Sequence, residues 1–427
     1  MSPRIAIIGM GASGQAATQL ALKNGADVLC IDSRSTAPII PNTAQQYGTD
    51  PSDLLCEQHR IVLSPGVPLA HPMLQKAKDK GIPIISELGF AAEHIDIPML
   101  AITGTNGKSS TTWFTAQFLE QAGKRAFVGG NFGTALSALA LDTKNHDIAV
   151  VEVSSYQMEA PGKFCPHAAV ALNLTPDHLA RHKTMESYAE HKRRIFSHQS
   201  ASQWAIAPFA DPRLHPQSSA QKLWLGGAPG TVVQNNGIIL KNTPSDGFFS
   251  LQGSTLYGAH NIQNLMASLL LCSTVGVSPS SLDVTSVQPL AHRLELILNK
   301  DGIRWINDSK ATNVEATIAG IAGAPAPQIL LLGGAGKEGA DYTQLQSLIT
   351  EHVRTVICFG AERDIIHSQL PHSHCCPSLD EAIALARTLA QKGDTILLSP
   401  ACASFDAFAN FVERGKHFTQ LVRGVEV

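Results

Sequence analysis

Short apolar runs alternate with helix-length amphipathic segments along almost the whole chain. The clearest runs of the first half lie near 5–8, 28–31, 61–64, 82–85, 99–103, 125–128, 148–153 and 168–173. Buried strands separated by crossover helices are typical of parallel sheets in α/β proteins. The pattern therefore predicts an α/β fold whose first strand group is a small Rossmann-like unit, ending at a turn around 96–98.

The pattern changes between about 203 and 257. An Asn236-Gly237 pair stands there between β-rich runs, which is a strong hairpin signal. A helix is predicted over about 260–274, and a second hairpin about Lys300-Asp301-Gly302 precedes renewed strand–helix alternation. We therefore expect three domains: a Rossmann-like domain at 1–96, a central P-loop ATPase-like domain with an added antiparallel β segment at 97–291, and a C-terminal Rossmann-like α/β domain at 292–427.

Composition adds mainly exclusions. The chain of 427 residues is 44% hydrophobic and has a net charge of −3, with both signs scattered along it. A nucleic-acid binder would concentrate basic residues on one face, and no apolar run reaches the length needed to span a bilayer. The opening run Arg4–Ile8 is strand-like and too short for a signal sequence. We expect a cytoplasmic protein, a monomer, with no nucleic-acid partner and no membrane insertion.

The eight cysteines contain no C-x-x-C pair and lie mostly in apolar stretches, as reduced core thiols do. The cluster His372–Cys376 combines histidine and cysteine, but it lacks the ligand spacing of a closed tetrahedral metal site and lies in a loop-like segment. No metal is predicted there.

A glycine-rich turn follows the first strand. Gly9, Gly11 and Gly14 have the spacing of the dinucleotide fingerprint, and Asp32 ends the second strand. Read alone, this fingerprint indicates NAD, and an NAD-dependent dehydrogenase is one interpretation. The glycines permit a tight turn and the close approach of a diphosphate to the backbone, so the pattern is compatible with any nucleoside diphosphate.

A second glycine turn, Gly104–Ser110, follows the apolar run Met99–Thr103. Backbone N–H groups of such a turn and the following helix point at phosphate oxygens, while Lys108 supplies a cation and Ser109 a hydroxyl for Mg²⁺. The spacing differs from the general P-loop, which has glycine where Ile102 stands. We predict ATP binding on Gly104, Thr105, Asn106, Gly107, Lys108, Ser109 and Ser110.

Polar residues end the neighbouring strands. Glu152 is embedded in an apolar strand, where an unpaired carboxylate is costly, so a Mg²⁺ beside the phosphate loop or a structural salt bridge should partner it. His178 follows the next strand and is able to bind metal or orient a substrate. For Lys192, the adjacent Arg193 and Arg194 favour a solvated basic helix face.

Taken together, these segments resemble the ATP-dependent Mur ligases over nearly the whole chain. The motifs that carry the resemblance are Thr103–Lys108, Glu152–Gln157, Asn173–His178, His260-Asn261 with Asn264, His292-Arg293, Asn307–Asn313, Gly333–Lys337 and Ser399–Phe408. The last three resemble the branch of the family that joins D-glutamate to UDP-N-acetylmuramoyl-L-alanine. The resemblance implies that these two molecules and ATP are the substrates.

The resemblance also implies roles for individual residues. The UDP-sugar would contact Ala12, Ser13, Asp32, Ser33, Arg34, Gly66 and Asn131. Two Mg²⁺ would be held by Ser109, Glu152, His178 and Lys192, the last as a CO₂-derived carbamate, which converts a cation into a carboxylate-like ligand. With Lys108, the residues Glu152, His178 and Lys192 would form the catalytic set. Further nucleotide contacts would come from Asn264, Arg293 and Asp308, and the D-glutamate pocket from Thr312, Lys337, Ser404, Phe405 and Phe411.

Four alternatives remain at this point. A sister Mur ligase that adds another amino acid, or folylpolyglutamate synthase, would share the acyl-phosphate chemistry, although the first glycine loop disfavours the folate enzyme. An NAD-dependent dehydrogenase would leave Lys108, Glu152 and the third domain unexplained. A noncatalytic nucleotide-binding regulator would have no evident use for the lysine and metal positions.

Overall fold

The computed structural model describes residues 2–336 and 339–424. The chain forms two compact units. Unit 1 comprises Met1–Gln252 and Gln263–Val284, and unit 2 comprises Gly253–Ile262 and Thr285–Val427.

The first sheet of unit 1 has five parallel strands in the order β3-β2-β1-β4-β5. Its strands are β1 (Arg4–Ile8), β2 (Asp27–Asp32), β3 (Ala44–Tyr47), β4 (Arg60–Leu63) and β5 (Ile84–Ser86), and its helices are α1 (Ala12–Lys23), α2 (Ser52–Leu55), α3 (Gln75–Asp79) and α4 (Glu87–Ala92). The alanines and leucines on one face of α1 are buried against the sheet. This packing turns the amino end of α1 toward the carboxyl ends of β1 and β4.

The second sheet of unit 1 has nine strands in the order β14-β13-β12-β11-β10-β9-β6-β8-β7. Its strands are β6 (Met99–Thr103), β7 (Ala126–Gly130), β8 (Ile148–Glu152), β9 (Ala168–Ala171), β10 (Trp204–Pro208), β11 (Gln221–Leu225), β12 (Gly230–Gln234), β13 (Gly237–Lys241) and β14 (Gly247–Ser250). Four helices belong to it: α5 (Lys108–Gln121), α6 (Leu136–Leu141), α7 (Leu179–His182) and α8 (Met185–Arg193). A fifth helix, α9 (Ala259–Ser273), belongs to unit 1 from Gln263 onward, and there Ser268 Oγ donates to the Thr111 carbonyl of α5 at 3.1 Å.

The predicted antiparallel segment is present as β12, β13 and β14. Its first turn consists of Asn235 and Asn236, whose φ angles of 51° and 53° are both positive. Two positive φ angles define the hairpin turn whose twist matches its strands. The sequence did not predict β10 and β11, which run parallel to β9 and join the antiparallel strands to the central sheet.

The sheet of unit 2 has the order β15-β16-β20-β17-β18-β19. Its strands are β15 (Glu295–Lys300), β16 (Ile303–Asn307), β17 (Gln328–Gly333), β18 (Val353–Phe359), β19 (His374–Cys376) and β20 (Thr395–Leu398), and its helices are α10 (Val314–Gly323), α11 (Gln346–His352), α12 (Arg363–Gln369), α13 (Leu379–Leu389) and α14 (Phe411–Arg423). The predicted hairpin of β15 and β16 is antiparallel, and the other pairs are parallel.

The α/β fold with three sheet-containing regions is therefore confirmed. The domain boundaries at 1–96, 97–291 and 292–427 stay a prediction. The loop interpretation of His372–Cys376 was wrong, because its last three residues form the edge strand β19, which needs a partner on one side only. Over residues 2–336 and 339–424, no helix combines the length and apolarity that crossing a bilayer requires.

Candidate functional site

A cleft of ≈ 750 Å³ opens at the carboxyl edge of the first sheet. It is lined by the glycine turn after β1, the end of β2 and the turn Ser64–Pro68 after β4. Six residues predicted to contact a UDP-sugar line this one cleft: Ala12, Ser13, Asp32, Ser33, Arg34 and Gly66. The seventh, Asn131, directly follows β7 of the second sheet and does not line this cleft.

The glycine turn has no room for side chains at two of its positions. A Cβ on Gly14 would lie 1.8 Å from the Gly9 carbonyl oxygen, so α1 approaches the end of β1 as closely as only glycine permits. Gly9 itself has φ +93° and faces the Ser64 side chain. No side chain caps the start of α1. Its first N–H groups are therefore available to an anion in the cleft.

The Asp32 carboxylate is already fully engaged. Oδ2 accepts from the Met10 N–H at 2.7 Å and from Arg34 Nη2 at 2.9 Å, while Oδ1 accepts from Arg34 N and Nε, both at 2.9 Å. These bonds from Arg34 hold the pKa of the Asp32 carboxyl far below its usual range, against the effect of burial. Four donors fill the acceptor capacity of one carboxylate. A ribose hydroxyl would have to displace one of them, whereas the exposed Arg34 guanidinium suits a phosphate.

At the end of β6, the phosphate loop is shaped by two glycines and two lysines. Gly104 has φ +154° and Gly107 has φ +84°. Lys108 Nζ donates to the carbonyls of Gly104 at 3.0 Å and Thr105 at 2.9 Å. The Gly104 carbonyl also accepts from Lys192 Nζ at 2.6 Å, so two amines meet at one oxygen.

The loop is braced by the segment that follows β9. The Asn106 N–H donates to Asn173 Oδ1 at 2.9 Å, and Asn173 Nδ2 donates to the Asn106 carbonyl at 3.0 Å. Thr105 Oγ1 lies 3.1 Å from the Thr175 N–H and 3.4 Å from the Tyr188 hydroxyl. These bonds preorganise the loop without a ligand.

Asn264, a predicted nucleotide contact, lies against the same loop. Its Oδ1 would be 2.3 Å from a Cβ on Gly107 and accepts from Thr111 Oγ1 at 3.2 Å. Ser109 and Ser110 occupy the first turn of α5, and no side chain caps that helix. The positive end of α5 therefore faces the loop interior.

Glu152 ends β8 with one oxygen engaged and one without a partner. Oε1 accepts from Asn131 Nδ2 at 2.7 Å, whereas the buried Oε2 has no hydrogen-bond partner. The salt-bridge alternative is not supported, because Glu152 is in none of the ion pairs of the described residues. An unpartnered buried carboxylate oxygen calls for a cation.

His178 occupies the loop after β9 in a left-handed conformation with φ 54°. Its Nδ1 lies 3.0 Å from the Tyr156 hydroxyl, and its Nε2 lies 3.3 Å from Asp177 Oδ2. Because β6 lies between β8 and β9 in the sheet, Glu152, the phosphate loop and the His178 loop leave the same edge.

Lys192 is buried, with 1% of its surface exposed. The prediction of a solvated basic face was therefore wrong for this residue, because α8 turns Lys192 and Tyr188, one helical turn apart, inward together. The amine lies 4.4 Å from the centroid of the Tyr188 ring. Burial, followed by repulsion from Lys108, lowers the pKa of Lys192 to about 7.

A divalent metal fits this edge of the sheet. No three His, Cys, Asp or Glu side chains within 2–336 and 339–424 form a metal-holding group. The candidate donors are instead the unpartnered Glu152 oxygen, the Ser109 hydroxyl in the first turn of α5, and the His178 imidazole, which would have to exchange its contact with Tyr156 or Asp177 for the metal. Mg²⁺ is usually held by only a few protein ligands, and substrate phosphates and water complete its coordination.

Unit 2 contains the remaining predicted residues. Asp308 follows β16, accepts from Ser399 Oγ at 2.8 Å and from the Leu294 N–H at 3.3 Å, and is near Arg293. Burial raises the pKa of Asp308 to about 7 despite these contacts. Arg293 and Asp308 thus lie together, whereas Asn264 belongs to unit 1.

Among the described residues, four that are predicted to hold D-glutamate lie on segments at the carboxyl edge of the unit 2 sheet: Thr312, Ser404, Phe405 and Phe411. The Phe411 carbonyl accepts from Ser309 Oγ at 2.8 Å, and Lys310 Nζ lies 4.0 Å from the Phe411 ring centroid. Phe405 is 74% exposed, which suits a residue that becomes covered only when ligand binds. Ser404 is buried and Thr312 half-buried, and Lys337 lies outside the described residues.

Sequence reasoning missed a buried arginine at this edge. Arg414 donates to the carbonyls of Ser309 at 2.9 Å, Cys402 at 3.1 Å and Ala403 at 3.2 Å. It thereby joins the segments after β16 and β20, and burial lowers its pKa to about 10. Its inward position on α14 could have been found from helical periodicity, since Arg414 is four residues before the buried Phe418.

The fold and the phosphate site indicate an enzyme that uses a nucleoside triphosphate. Comparison with known protein families identifies the family. Family models match in three successive parts: the Mur ligase MurD-like N-terminal domain over residues 3–86, the Mur ligase middle domain over 102–272 and the Mur ligase glutamate ligase domain over 292–402. The chain belongs to the Mur ligase family and is therefore a ligase.

Its curated relatives include UDP-N-acetylmuramoylalanine–D-glutamate ligases from several bacteria. The protein from Alkaliphilus metalliredigens is 36% identical over 98% of this chain and 97% of its own length. The protein from Myxococcus xanthus is 36% identical over 99% of this chain and 98% of its own length. The solved MurF ligase from Thermotoga maritima in complex with ADP has a TM-score of 0.59 at 17% identity, covering 100% of this chain and 96% of that chain, and supports the fold alone.

Proposed function

We propose that this protein catalyses the ATP-dependent ligation of D-glutamate to UDP-N-acetylmuramoyl-L-alanine, a cytoplasmic step of peptidoglycan precursor synthesis. The observation that carries the proposal is the pair of amines, Lys108 and Lys192, at the Gly104 carbonyl of a braced phosphate loop. The names of the full-length relatives supply the substrates.

The reaction needs ATP because the L-alanyl carboxylate is a poor electrophile. A carboxylate resists attack by an amine until one of its oxygens is converted into a better leaving group, so ATP first phosphorylates it. The L-alanyl carboxylate attacks the γ-phosphorus, ADP leaves, and an acyl phosphate forms. The D-glutamate amine then attacks the acyl carbon, loses a proton, and inorganic phosphate departs as the amide forms.

The phosphate loop supports this transfer by holding charge in place. On ATP binding, Lys108 would exchange its bonds to the Gly104 and Thr105 carbonyls for phosphate oxygens. The uncapped first turn of α5 adds N–H donors at the same place. Both devices stabilise the extra charge on the γ-phosphoryl group during transfer.

Two Mg²⁺ would be held by Ser109, Glu152, His178 and Lys192. When bound, the metal supplies neutralisation of phosphate charge. The unpartnered Glu152 Oε2 supports this assignment.

We propose further that Lys192 carries a CO₂-derived carbamate. Only a neutral amine reacts with CO₂, and a pKa near 7 keeps a sizeable fraction of the Lys192 amine neutral at neutral pH. The new carboxylate would replace a buried cation that repels Lys108.

The UDP moiety would lie in the cleft of the first sheet, with Arg34 and α1 meeting its diphosphate and Asn131 meeting the sugar's peptide end. D-Glutamate would be held in unit 2 by Thr312, Lys337, Ser404, Phe405 and Phe411. An ammonium and hydroxyls suit its two carboxylates. The protein would act as a monomer.

The test is phosphate release with ATP, Mg²⁺ and UDP-N-acetylmuramoyl-L-alanine, with D-glutamate present, omitted, or replaced by L-glutamate, L-alanine or L-lysine. Release that requires D-glutamate is expected. Release with another amino acid would move the protein to a sister activity. The dehydrogenase alternative is disfavoured by the saturated Asp32 carboxylate, and a fluorescence titration with NADH should show no binding.

A further inference from the structure

A chain of contacts in unit 1 joins the wall of the nucleotide cleft to the His178 imidazole. Its centre is the carboxylate of Glu159, which lies in the short turn after β8. Glu159 Oε2 accepts from the Leu69 N–H at 3.1 Å. Leu69 directly follows the cleft-lining turn Ser64–Pro68. The carboxylate therefore holds one wall of the cleft by its backbone.

The same carboxylate is gripped from the other side by Arg181. Nε lies 2.6 Å from Glu159 Oε1, and Nη2 lies 2.8 Å from Oε2. The two side chains are only 20% and 11% exposed. Arg181 Nη2 also points at the Val67 carbonyl, at 3.5 Å. Burial acts to raise the pKa of Glu159, but the bonds from Arg181 and Leu69 lower it overall, so the carboxylate is held in its ionised form.

Arg181 is linked in turn to the imidazole. Its guanidinium carbon lies 4.2 Å from the centroid of the Tyr156 ring, and the Tyr156 hydroxyl lies 3.0 Å from His178 Nδ1. The Arg181 N–H also donates to the His178 carbonyl at 3.0 Å. The His178 ring is thus held by Tyr156, and the short helix that begins after His178 carries Arg181, whose side chain is fixed by Glu159.

A buried ion pair is a poor way to gain stability, because desolvation cancels most of its attraction, but a bidentate fork fixes geometry well. The pair joins two loops that the proposed function uses for different substrates. A role in geometry therefore accounts for it better than a role in stability.

Building on the proposed function, we propose that Glu159, Arg181 and Tyr156 are positioning residues that hold His178 in register with the nucleotide cleft. A nucleoside diphosphate that orders the turn Ser64–Pro68 thereby also restrains the loop of His178. None of the three positioning residues needs to touch the reacting atoms.

Hydrogen–deuterium exchange with uridine diphosphate, without metal or ATP, tests the coupling. Uridine diphosphate lacks the amino sugar and the alanyl group of the full substrate. Slower exchange at residues outside the cleft would therefore report coupling between the cleft and the His178 loop. In the wild-type protein we expect slower exchange both at 64–69 and at 179–183. In Glu159→Gln we expect protection to persist at 64–69 and to disappear at 179–183. An effect of uridine diphosphate confined to 64–69 in the wild type would overturn the proposal.

Arg125 and Asp147 provide a matched control. They form a bidentate pair at 2.8 and 3.2 Å where β7 and β8 begin, at the opposite edge of the same sheet. Asp147→Asn should therefore leave the exchange pattern of the wild type unchanged. Loss of protection at 179–183 in this control as well would indicate a general loosening and would overturn the specific role of Glu159.

Kinetics separate positioning from structure. Glu159→Gln and Tyr156→Phe should each lower kcat roughly tenfold while changing the affinity for uridine diphosphate by less than about twofold. Tyr156→Phe keeps the ring under Arg181 and removes only the hydroxyl at His178. Wild-type rates in both variants would refute the positioning role. Absence of turnover in the wild type would count against the proposed reaction alone, because the exchange measurement does not depend on it.

Discussion

Replacing Lys192 by methionine should stabilise the protein while abolishing its activity. Burial lowers the pKa of the Lys192 amine from its usual 10.5 to about 7. At pH values below 10.5 the Lys192 amine is protonated in the unfolded chain, whereas burial in the folded protein disfavours the protonated form. Folding therefore carries a free-energy cost at these pH values. At pH 7 that cost is about 4 kcal/mol from the size of the shift.

Methionine has a similar length and no charge, so it removes this cost. It also removes the bond to the Gly104 carbonyl and the contact with the Tyr188 ring, together worth about 2 kcal/mol. The Gly104 carbonyl keeps its bond from Lys108, so no acceptor is left unpaired. The net gain is about 2 kcal/mol, or a rise in Tm of roughly 4 °C for a unit of this size.

The assay is thermal unfolding in buffers without CO₂ and Mg²⁺, at about pH 7 and about pH 10. Wild-type stability rises with pH between the folded and unfolded pKa values of Lys192. The advantage of Lys192→Met should therefore be largest at and below pH 7. At pH 10 the folding cost falls below about 1 kcal/mol and the lost contacts outweigh it, so the variant should be less stable than the wild type by about 1 kcal/mol. Lys222→Met, at an exposed position on β11, is the control and should show no such pH dependence. A variant that is less stable than the wild type at pH 7, or an advantage that does not change with pH, would refute the reasoning.

Three further outcomes are expected. Lys108→Ala should abolish ATP turnover and leave uridine diphosphate binding, measured by calorimetry, nearly intact; loss of both would mean misfolding, and survival of turnover would refute the phosphate-loop assignment. Gly14→Ala should lower the free energy of unfolding by more than about 2 kcal/mol, because its Cβ meets a carbonyl at 1.8 Å, whereas Gly11→Ala, with nothing within 4 Å, should not. Arg414→Met should cost about 3–5 kcal/mol in denaturant unfolding by leaving buried carbonyls unpaired, against little change for the exposed Arg423→Met; equal effects would contradict that account.

Local sequence pattern was sufficient for the elements that depend on neighbouring residues. The glycine turn at Gly9–Gly14, the phosphate loop at Gly104–Ser110 and the hairpin of β15 and β16 all need particular residues at particular backbone angles. These requirements involve residues that are adjacent in the sequence, so such turns can be predicted without knowledge of tertiary contacts. The Mur ligase resemblance rested on these same local motifs.

Tertiary structure decided what depends on partners far away in the chain. The basic run at 192–194 is polar by pattern, and only the packing of α8 against the phosphate loop makes Lys192 a buried amine. Asp32 reads as a ligand, yet its oxygens are taken by Met10 and Arg34. Burial and hydrogen-bond capacity are properties of the folded surroundings, and they set the charge and reactivity of a side chain whose identity alone the sequence determines.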